Sequence, residues 1–372
     1  MRSIYASALL ATFVPLALGR SNTHPNYHNQ PKPTVATPGT YVADISQCPA
    51  VKPRTAPPKN IHDLRPDDFS VAMAIGDSIT AGAFAKGIDT NDKYSNWVEW
   101  RGLSYAGGGE EGAVTMPNIL KHYNGTLVGG ARGYNPGYEI CFGSGCPVGP
   151  VGWNNTVDQL NAGQSGAYAS NLLHEAEDYL ALQVKSLNIS ESRFKYLSFQ
   201  VGANDVCQLC AAADAPMGPS TKGDFENNVR AALEHVRMNI PNTLVNLLGA
   251  WKLTDIYACI AGPGAIGNFT RNQMDRLVEQ YNTVLQNIVA DYKRKNYDNF
   301  AVIWQPPNLP FKEYPIEGMS FLPHLFTRCT DSLHLSRLWN RLTLNQTMRA
   351  APFTWEKTTK YRCLEENDRI QT

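Results

Sequence analysis

Three residues of this sequence carry the side chains that acyl transfer requires. Ser78 supplies a hydroxyl group, and Asp331 and His334 supply a carboxyl group and an imidazole three positions apart. This spacing brings both side chains onto one face of a helical turn, where the carboxylate can hold the imidazole Nδ1–H and leave Nε2 free as a base. None of the other seven histidines has Asp or Glu three residues before it. The three residues are therefore a candidate nucleophile, orienting acid and general base.

Each of these residues also has a purely structural interpretation. Gly76, Asp77 and Ser78 could form a turn in which Asp77 or Ser78 caps a following helix. Asp331 could cap a surface turn that has no part in any chemistry. Both alternatives stay open at this level, because the presence of the three side chains does not establish that they meet.

Acyl transfer also needs hydrogen-bond donors at the oxygen that becomes negative in the tetrahedral intermediate. The sequence offers the backbone N–H groups of Ser78 and Gly166 and the side-chain amide of Asn204. A glycine allows close approach of the backbone, and an amide donates without titrating. Taken alone, Gly166 could equally be a glycine at a helix entry, and Asn204 could form an Asx turn.

The hydrophobic pattern predicts the elements that must position these residues. The apolar run from Val71 to Ile75 ends at Gly76 and is typical of a buried parallel strand, which places Ser78 just past a carboxyl end, where ligands bind in open α/β sheets. Asn204 follows the next predicted strand in the same way. Further strands are predicted at 194–202, 243–250 and 300–304. Helices are predicted at 170–186, 224–239 and 274–293, and after Ser336 through Met348. This alternation predicts a three-layer α/β/α sandwich with a central, mostly parallel sheet.

Length and charge limit the classes of protein that fit. The chain has 372 residues and equal numbers of basic and acidic side chains, 33 of each. No overall electrostatic field therefore attracts a polyanion, and nucleic acid is not an expected partner.

Residues 1–19 have the basic start, apolar core and small-residue end of a secretory signal peptide. Residues 20–60 are rich in Pro and Asn and are expected to form a flexible leader, and 61–372 the folded domain. No later segment reaches the roughly 18 uninterrupted apolar residues of a spanning helix, so we expect an extracellular, soluble protein.

The eight cysteines and five Asn-x-Ser/Thr sequons agree with a secreted protein. The even number of cysteines allows up to four disulfides, and two pairs are close enough in sequence to close small loops, Cys141 with Cys146 and Cys207 with Cys210. A zinc site is the competing interpretation of the second pair, although no further pair at finger-like spacing accompanies it. We therefore predict no metal and no cofactor. The sequons are at Asn124, Asn154, Asn188, Asn268 and Asn345.

A long stretch rich in Gly and aromatic residues, 83–153, follows the first predicted strand. It is too long for an ordinary connection. Loops of this size are often lids or binding surfaces, and a glycosylated, disulfide-pinned surface excursion is the alternative.

Four short blocks of this sequence resemble, in the right order, those of the SGNH (GDSL) hydrolase superfamily. They are Gly76 to Thr80, Asn161 to Gly166, Gly202 to Asp205 and Asp331 to His334. The resemblance implies that Ser78 is the nucleophile, that Gly166 and Asn204 are oxyanion donors, and that His334 acts with Asp331. It also implies a flavodoxin-like three-layer sandwich and chemistry without a metal.

The sequence is most similar to the phospholipase B-like branch of that superfamily. The segments that carry this likeness are 62–68, 101–104, 116–120, 204–207 and 363–367. Arg337 to Trp339 stand where that pattern has a glycine, and the leader has no counterpart. The resemblance implies a lipid substrate, fatty-acyl esters of phospholipids and lysophospholipids, and transient contact with lipid surfaces. A short-chain or carbohydrate acetyl esterase on the same fold and a non-catalytic secreted glycoprotein are the alternatives. The oligomeric state is not predicted.

Overall fold

The computed structural model describes residues 41–42, 44–83, 85, 98–136, 152–209, 221–250, 252, 268–307, 361–368, 370 and 372. All of them belong to one compact unit, Ala36–Thr372. Several sequence-based predictions concern residues outside these ranges. They are the signal peptide at 1–19, the first part of the leader, the paired Asp331 and His334 with the helix after them, and five of the eight cysteines (Cys141, Cys146, Cys210, Cys259 and Cys329).

A parallel sheet lies at the centre of the described residues. The strands are β1 (Tyr41–Val42), β2 (Val71–Gly76), β3 (Val98–Glu99), β4 (Asn135–Pro136), β5 (Lys195–Gln200), β6 (Thr243–Leu248), β7 (Phe300–Gln305) and β8 (Tyr361–Arg362). The central sheet has the order β2-β5-β6-β7, with all three pairings parallel, and β1 with β8 and β3 with β4 form short antiparallel pairs. The four predicted strands are confirmed.

The register aligns the four central strands at both ends. Val71 lies opposite Lys195, which lies opposite Thr243, which in turn lies opposite Phe300. Because the strands start in line and have equal length, their carboxyl ends form one continuous edge. Loops that leave β2 and β5 therefore begin side by side.

The helices are α1 (Ser78–Ala81), α2 (Met116–Tyr123), α3 (Asn155–Asp158), α4 (Leu172–His174), α5 (Ala181–Ser186), α6 (Ala203–Cys207), α7 (Lys222–Asn239) and α8 (Asn268–Lys295). A π-helical turn, Glu175–Leu180, joins α4 to α5. Thr221 caps α7 through a hydrogen bond from the Asp224 N–H to its Oγ1, at 3.2 Å. The long helix α8 begins six residues before the predicted start.

Buried apolar side chains form two clusters against the sheet. Val71, Met73 and Ile75 pack into the larger cluster with α7 and α8, where the rings of Phe225 and Tyr281 stack at 3.9 Å. Ala72 of the same strand packs into a second cluster together with α2. Because alternate side chains of a strand point to opposite faces, both faces of the sheet are covered. The fold is the predicted α/β/α sandwich.

The predicted helix at 170–186 is present, but its buried face differs from the expected one. Leu172, Ala176, Leu180 and Val184 are buried as predicted. Leu173, which was expected beside them, is 37% exposed. The buried positions, which also include Glu175 and Tyr179, recur at spacings of three and four residues, as on one face of a helix with 3.6 residues per turn. Leu173 lies off that face and is therefore exposed.

The described part of the Gly- and aromatic-rich stretch is built into the fold. Tyr105 and Ala106 are buried, and Gly108 bridges to Ala131. A Cβ at position 107 would lie 2.8 Å from the Asn161 side chain, so a glycine is needed where these two segments meet. For residues 98–136 the surface-excursion interpretation is wrong, and sequence reasoning also missed α2 there.

The two ends of the described chain are joined. Cys48 and Cys363 form a disulfide across 315 positions of sequence. Arg54, also in the predicted leader, pairs with Asp68 at 3.0 Å, and the backbone N–H of Ile370 donates to the Leu64 carbonyl at 2.9 Å. Among the described helices, none combines the length and the apolar composition that crossing a bilayer requires.

Candidate active site

Ser78 is the first residue of α1 and lies directly past the end of β2. Asp77 caps the helix by accepting the Ile79 N–H at 2.9 Å, so the capping interpretation is correct for Asp77. A Cβ on Gly76 would lie 2.1 Å from the Gln200 carbonyl oxygen and 2.4 Å from Thr80 Oγ1. Only glycine therefore allows the chain to turn from the strand into the helix here, with the Ser78 residue 2% exposed.

The segment that carries Gly166 runs beside β2. The Ala74 N–H donates to Leu160, and the N–H groups of Ala162 and Gln164 donate to Ala74 and Gly76, at 2.8–3.0 Å. These bonds carry the segment along β2 to its carboxyl end. Gly166 follows in the left-handed region, with φ +80°, and is partly exposed.

Asn204 lies in the first turn of α6, two residues after Gly202, whose φ is +115°. Its Nδ2 donates to the Ala167 carbonyl at 2.9 Å. The next residue, Asp205, accepts the Ala169 N–H on Oδ2 at 3.0 Å. Two side chains of the turn after β5 thus hold the turn that contains Gly166.

The structure brings Ser78, Gly166 and Asn204 to the same carboxyl edge of the sheet, because β2 and β5 are neighbours. Gly166 and Asn204 are both partly exposed. Asp331 and His334 lie outside the described residues, so the base and the orienting acid stay predictions. Within the described ranges, no group of three or more His, Cys, Asp or Glu residues could hold a metal ion.

Two carboxyl groups are buried on either side of Gly76. Glu175 accepts the Gly76 N–H on Oε2 at 2.8 Å, and Asp77 and Glu175 are 1% and 0% exposed. Burial raises the pKa of Asp77 to about 7, with a smaller contribution from the negative charge of Asp205 and an opposing one from the Ile79 N–H. Burial also raises the pKa of Glu175 well above its ordinary value.

Sequence reasoning missed Glu175. It stands in a helix two residues before Glu177, which is exposed, and the local pattern does not distinguish the two carboxylates. The contact between Glu175 and Gly76 joins residues 99 positions apart. The sequence around either residue does not reveal a contact with a residue so far away in the chain.

The described geometry suits the hydrolysis of a carboxylic ester. A serine at a strand end can supply an attacking hydroxyl group, and N–H groups of nearby turns are the kind of donor that stabilises the oxyanion of a tetrahedral intermediate. A small cavity opens at the same edge, lined by Asp77 and by residues that follow β5 and β6, among them Gly202, Ala203 and Ala250.

Comparison with known proteins places the chain in a family. The family described as GDSL-like lipase/acylhydrolase matches residues 73–345. Because this match covers well over half of the chain, the protein belongs to that family. The matched region includes Ser78, Gly166, Asn204, Asp331 and His334.

Curated relatives are similar over most of the chain. The membrane-associated phospholipase B1 of Rattus norvegicus is 25% identical over 329 residues, which cover 78% of this chain and 21% of that protein. The Homo sapiens protein of the same name is 27% identical over 305 residues, which cover 77% of this chain and 19% of that protein. The chain thus spans about a fifth of the length of these relatives. The matches confirm the resemblance to the phospholipase B-like branch of the SGNH (GDSL) superfamily.

A solved structure is also similar at a lower level. A catalytic mutant of Axe2, an acetylxylan esterase from Geobacillus stearothermophilus, is 15% identical with a TM-score of 0.35. The match covers 74% of this chain and 93% of that one.

Proposed function

We propose that this protein is a secreted serine esterase that hydrolyses fatty-acyl esters of phospholipids and lysophospholipids through an acyl-enzyme. The main support is that Ser78, Gly166 and Asn204 lie at the same edge of the sheet, in a chain that belongs to an acylhydrolase family. The substrate class is supported by the similarity to phospholipase B1.

In this mechanism, His334, oriented by Asp331, takes the proton of Ser78 Oγ as that oxygen attacks the ester carbonyl. The N–H groups of Ser78 and Gly166 and Nδ2 of Asn204 hold the oxyanion. His334 then gives its proton to the leaving alcohol oxygen, which completes the acyl-enzyme. Water, deprotonated by His334, attacks the acyl-enzyme, and the fatty acid leaves as Ser78 regains its proton.

Covalent labelling tests the nucleophile. A fluorophosphonate probe should label the protein at Ser78, and Ser78→Ala should abolish both the label and ester hydrolysis. His334→Ala should slow labelling strongly, because the serine then lacks its base. A label that persists on Ser78→Ala would remove Ser78 from the mechanism, and an unlabelled wild-type protein would favour the non-catalytic glycoprotein.

The substrate class needs a separate measurement. We expect higher kcat/KM on lysophosphatidylcholine than on p-nitrophenyl acetate, because an acyl-chain site adds binding that a two-carbon ester cannot use. The reverse order would favour the short-chain or carbohydrate acetyl esterase. Vesicle co-sedimentation of Ser78→Ala then tests transient contact with lipid surfaces.

The proposal includes secretion and glycosylation. The signal-like residues 1–19 and the Cys48–Cys363 disulfide support an oxidising compartment. Among the sequon asparagines whose burial the structure describes, Asn154 and Asn188 are exposed and Asn124 is partly exposed. Expression in a secreting eukaryotic host should release protein that lacks residues 1–19 and shifts in mass on treatment with a glycosidase. Cell-retained, unprocessed protein would contradict this part.

A further inference from the structure

A cluster of three charged side chains is buried beside the segment that carries Gly166. Arg101 is 1% exposed, Glu99 is 4% exposed and Asp158 is fully buried. The Arg101 guanidinium donates to Glu99 Oε2 from Nε at 3.0 Å and from Nη2 at 2.6 Å, and its Nε lies 3.2 Å from Asp158 Oδ1. One positive group therefore faces two carboxylates inside the protein.

The second oxygen of Glu99 contacts the residue before Gly166. Glu99 Oε1 accepts both the backbone N–H of Ser165, at 3.1 Å, and its hydroxyl, at 2.6 Å. The two bonds hold the backbone and the side chain of Ser165 together. The peptide unit between Ser165 and Gly166 carries the Gly166 N–H. Fixing Ser165 therefore fixes one end of that peptide unit.

Arg101 holds the same segment two residues earlier. Its Nη1 donates to the Gly163 carbonyl at 2.6 Å and lies 3.4 Å from the Asn161 carbonyl oxygen. Asn161 itself donates from Nδ2 to the carbonyl of Thr80, two residues after Ser78, at 2.9 Å. The cluster thus connects the turn that contains Gly166 with the helix that begins at Ser78.

Stability alone does not account for such a cluster. Removing charges from water costs several kcal/mol per ion, and well-packed apolar residues often replace a buried ion pair without loss of stability. Charge-assisted hydrogen bonds to a planar guanidinium are directional, however, and they fix the orientation of the groups that they join.

We propose that Glu99 and Arg101 are positioning residues for the oxyanion site, which act by holding Ser165 and Gly163 so that the Gly166 N–H points at the reacting oxygen. The inference rests on the proposed function, since it assigns the geometry of that same site. Neither side chain contacts the reacting atoms in this mechanism. Their loss should therefore reduce turnover while leaving ground-state binding of the ester in place.

Three substitutions test this role. Glu99→Gln keeps the shape of the side chain but removes the charge that faces Arg101, Arg101→Lys removes the planar fork, and Ser165→Ala removes only the 2.6 Å bond to Glu99. Small misplacements of a catalytic group are costly, so we expect kcat to fall about 10- to 100-fold with KM close to that of the wild type. Steady-state kinetics on one ester and thermal unfolding are measured for each variant.

Arg65→Lys is the matched control. Arg65 is also buried, at 3% exposed, and its Nε and Nη2 donate to Asp67, but it precedes β2 and lies away from the carboxyl edge. It should lower the melting temperature as much as Arg101→Lys does and leave kcat near the wild-type value. An equal loss of kcat in Arg65→Lys would overturn the positioning role, because general destabilisation would then explain both results.

The remaining outcomes separate this inference from the proposed function. A wild-type protein that turns over no ester and whose Ser78 takes no fluorophosphonate would remove the function and the inference together. An active wild type with unchanged kcat in Glu99→Gln and Ser165→Ala would overturn the positioning role alone. If Glu99→Gln and Arg101→Lys do not fold, Ser165→Ala decides by the same criterion.

Discussion

The side-chain amide of Asn204 donates a hydrogen bond to the backbone carbonyl of Ala167, with 2.9 Å between Nδ2 and the oxygen. Asn204 follows β5, and Ala167 follows the segment that runs beside β2. The two residues lie 37 positions apart in the sequence. A primary amide has two N–H groups, so this bond sets the plane of the amide while the second N–H stays a donor. The same bond ties Asn204 to the residue after Gly166, and the two proposed oxyanion donors are therefore positioned together.

Asn204→Ala tests the contribution of this amide to catalysis. Loss of one oxyanion donor should reduce kcat by about 10²- to 10³-fold, or about 2.7–4 kcal/mol of transition-state stabilisation. Gln208→Ala serves as the control. The Gln208 amide donates to the Tyr168 hydroxyl, two residues after Gly166 in sequence, and its loss should keep kcat near that of the wild type. An Asn204→Ala enzyme with full kcat would exclude Asn204 from the mechanism.

The pH dependence of hydrolysis tests the histidine base. The proton of Ser78 can pass only to a neutral imidazole, and imidazole takes up its proton between about pH 8 and pH 5. We therefore expect kcat/KM to fall as the pH is lowered through this range, in proportion to the neutral fraction of His334. A rate that is constant between about pH 4 and 8 would argue against a histidine base.

The free energy of unfolding should depend on pH through Asp77. Its pKa rises from 3.8 to about 7 on folding, so between these values the folded protein holds a proton that the unfolded chain releases. Stability consequently falls as the pH rises from about 4 to about 7, by up to about 4 kcal/mol from this group, and changes no further above that range. Asp77→Asn cannot titrate and should lack this part of the loss.

Urea denaturation of both proteins at pH 5 and pH 8 measures the effect. Glu175 and Asp205, the carboxyl groups that interact with Asp77, are present in both proteins and so contribute to both pH dependences. The wild type should lose more stability than Asp77→Asn between the two pH values. Equal losses would show that Asp77 has the same pKa in the folded and unfolded chains.

The disulfide between Cys48 and Cys363 should stabilise the fold by joining its two ends. Replacement of both cysteines by alanine should lower the free energy of unfolding by about 2–5 kcal/mol, because the unfolded chain gains freedom. Dithiothreitol should destabilise the wild type more than this double variant. A double variant as stable as the wild type would mean that other contacts, such as the 3.0 Å bond from the Leu364 N–H to the Tyr123 hydroxyl, suffice to hold the terminal segment.

The sequence by itself determined the central strands, the long helices and the place of Ser78 at a strand end. These features follow from hydrophobic periodicity and from glycine at a turn, both of which are properties of short segments. The order of the four blocks also indicated the family, to which the matched residues 73–345 assign the chain. Gly166 and Asn204 could be proposed as oxyanion donors on that basis, although each taken alone also fitted an ordinary turn.

Only the tertiary structure decided which side chains meet. Glu175 contacts the N–H of Gly76 across 99 positions, and Glu99 contacts Ser165 across 66. Both contacts depend on how the connecting segments pack against the sheet, and a one-dimensional pattern does not contain that path. Local patterns therefore placed the elements, and long-range packing selected the polar contacts that orient the site.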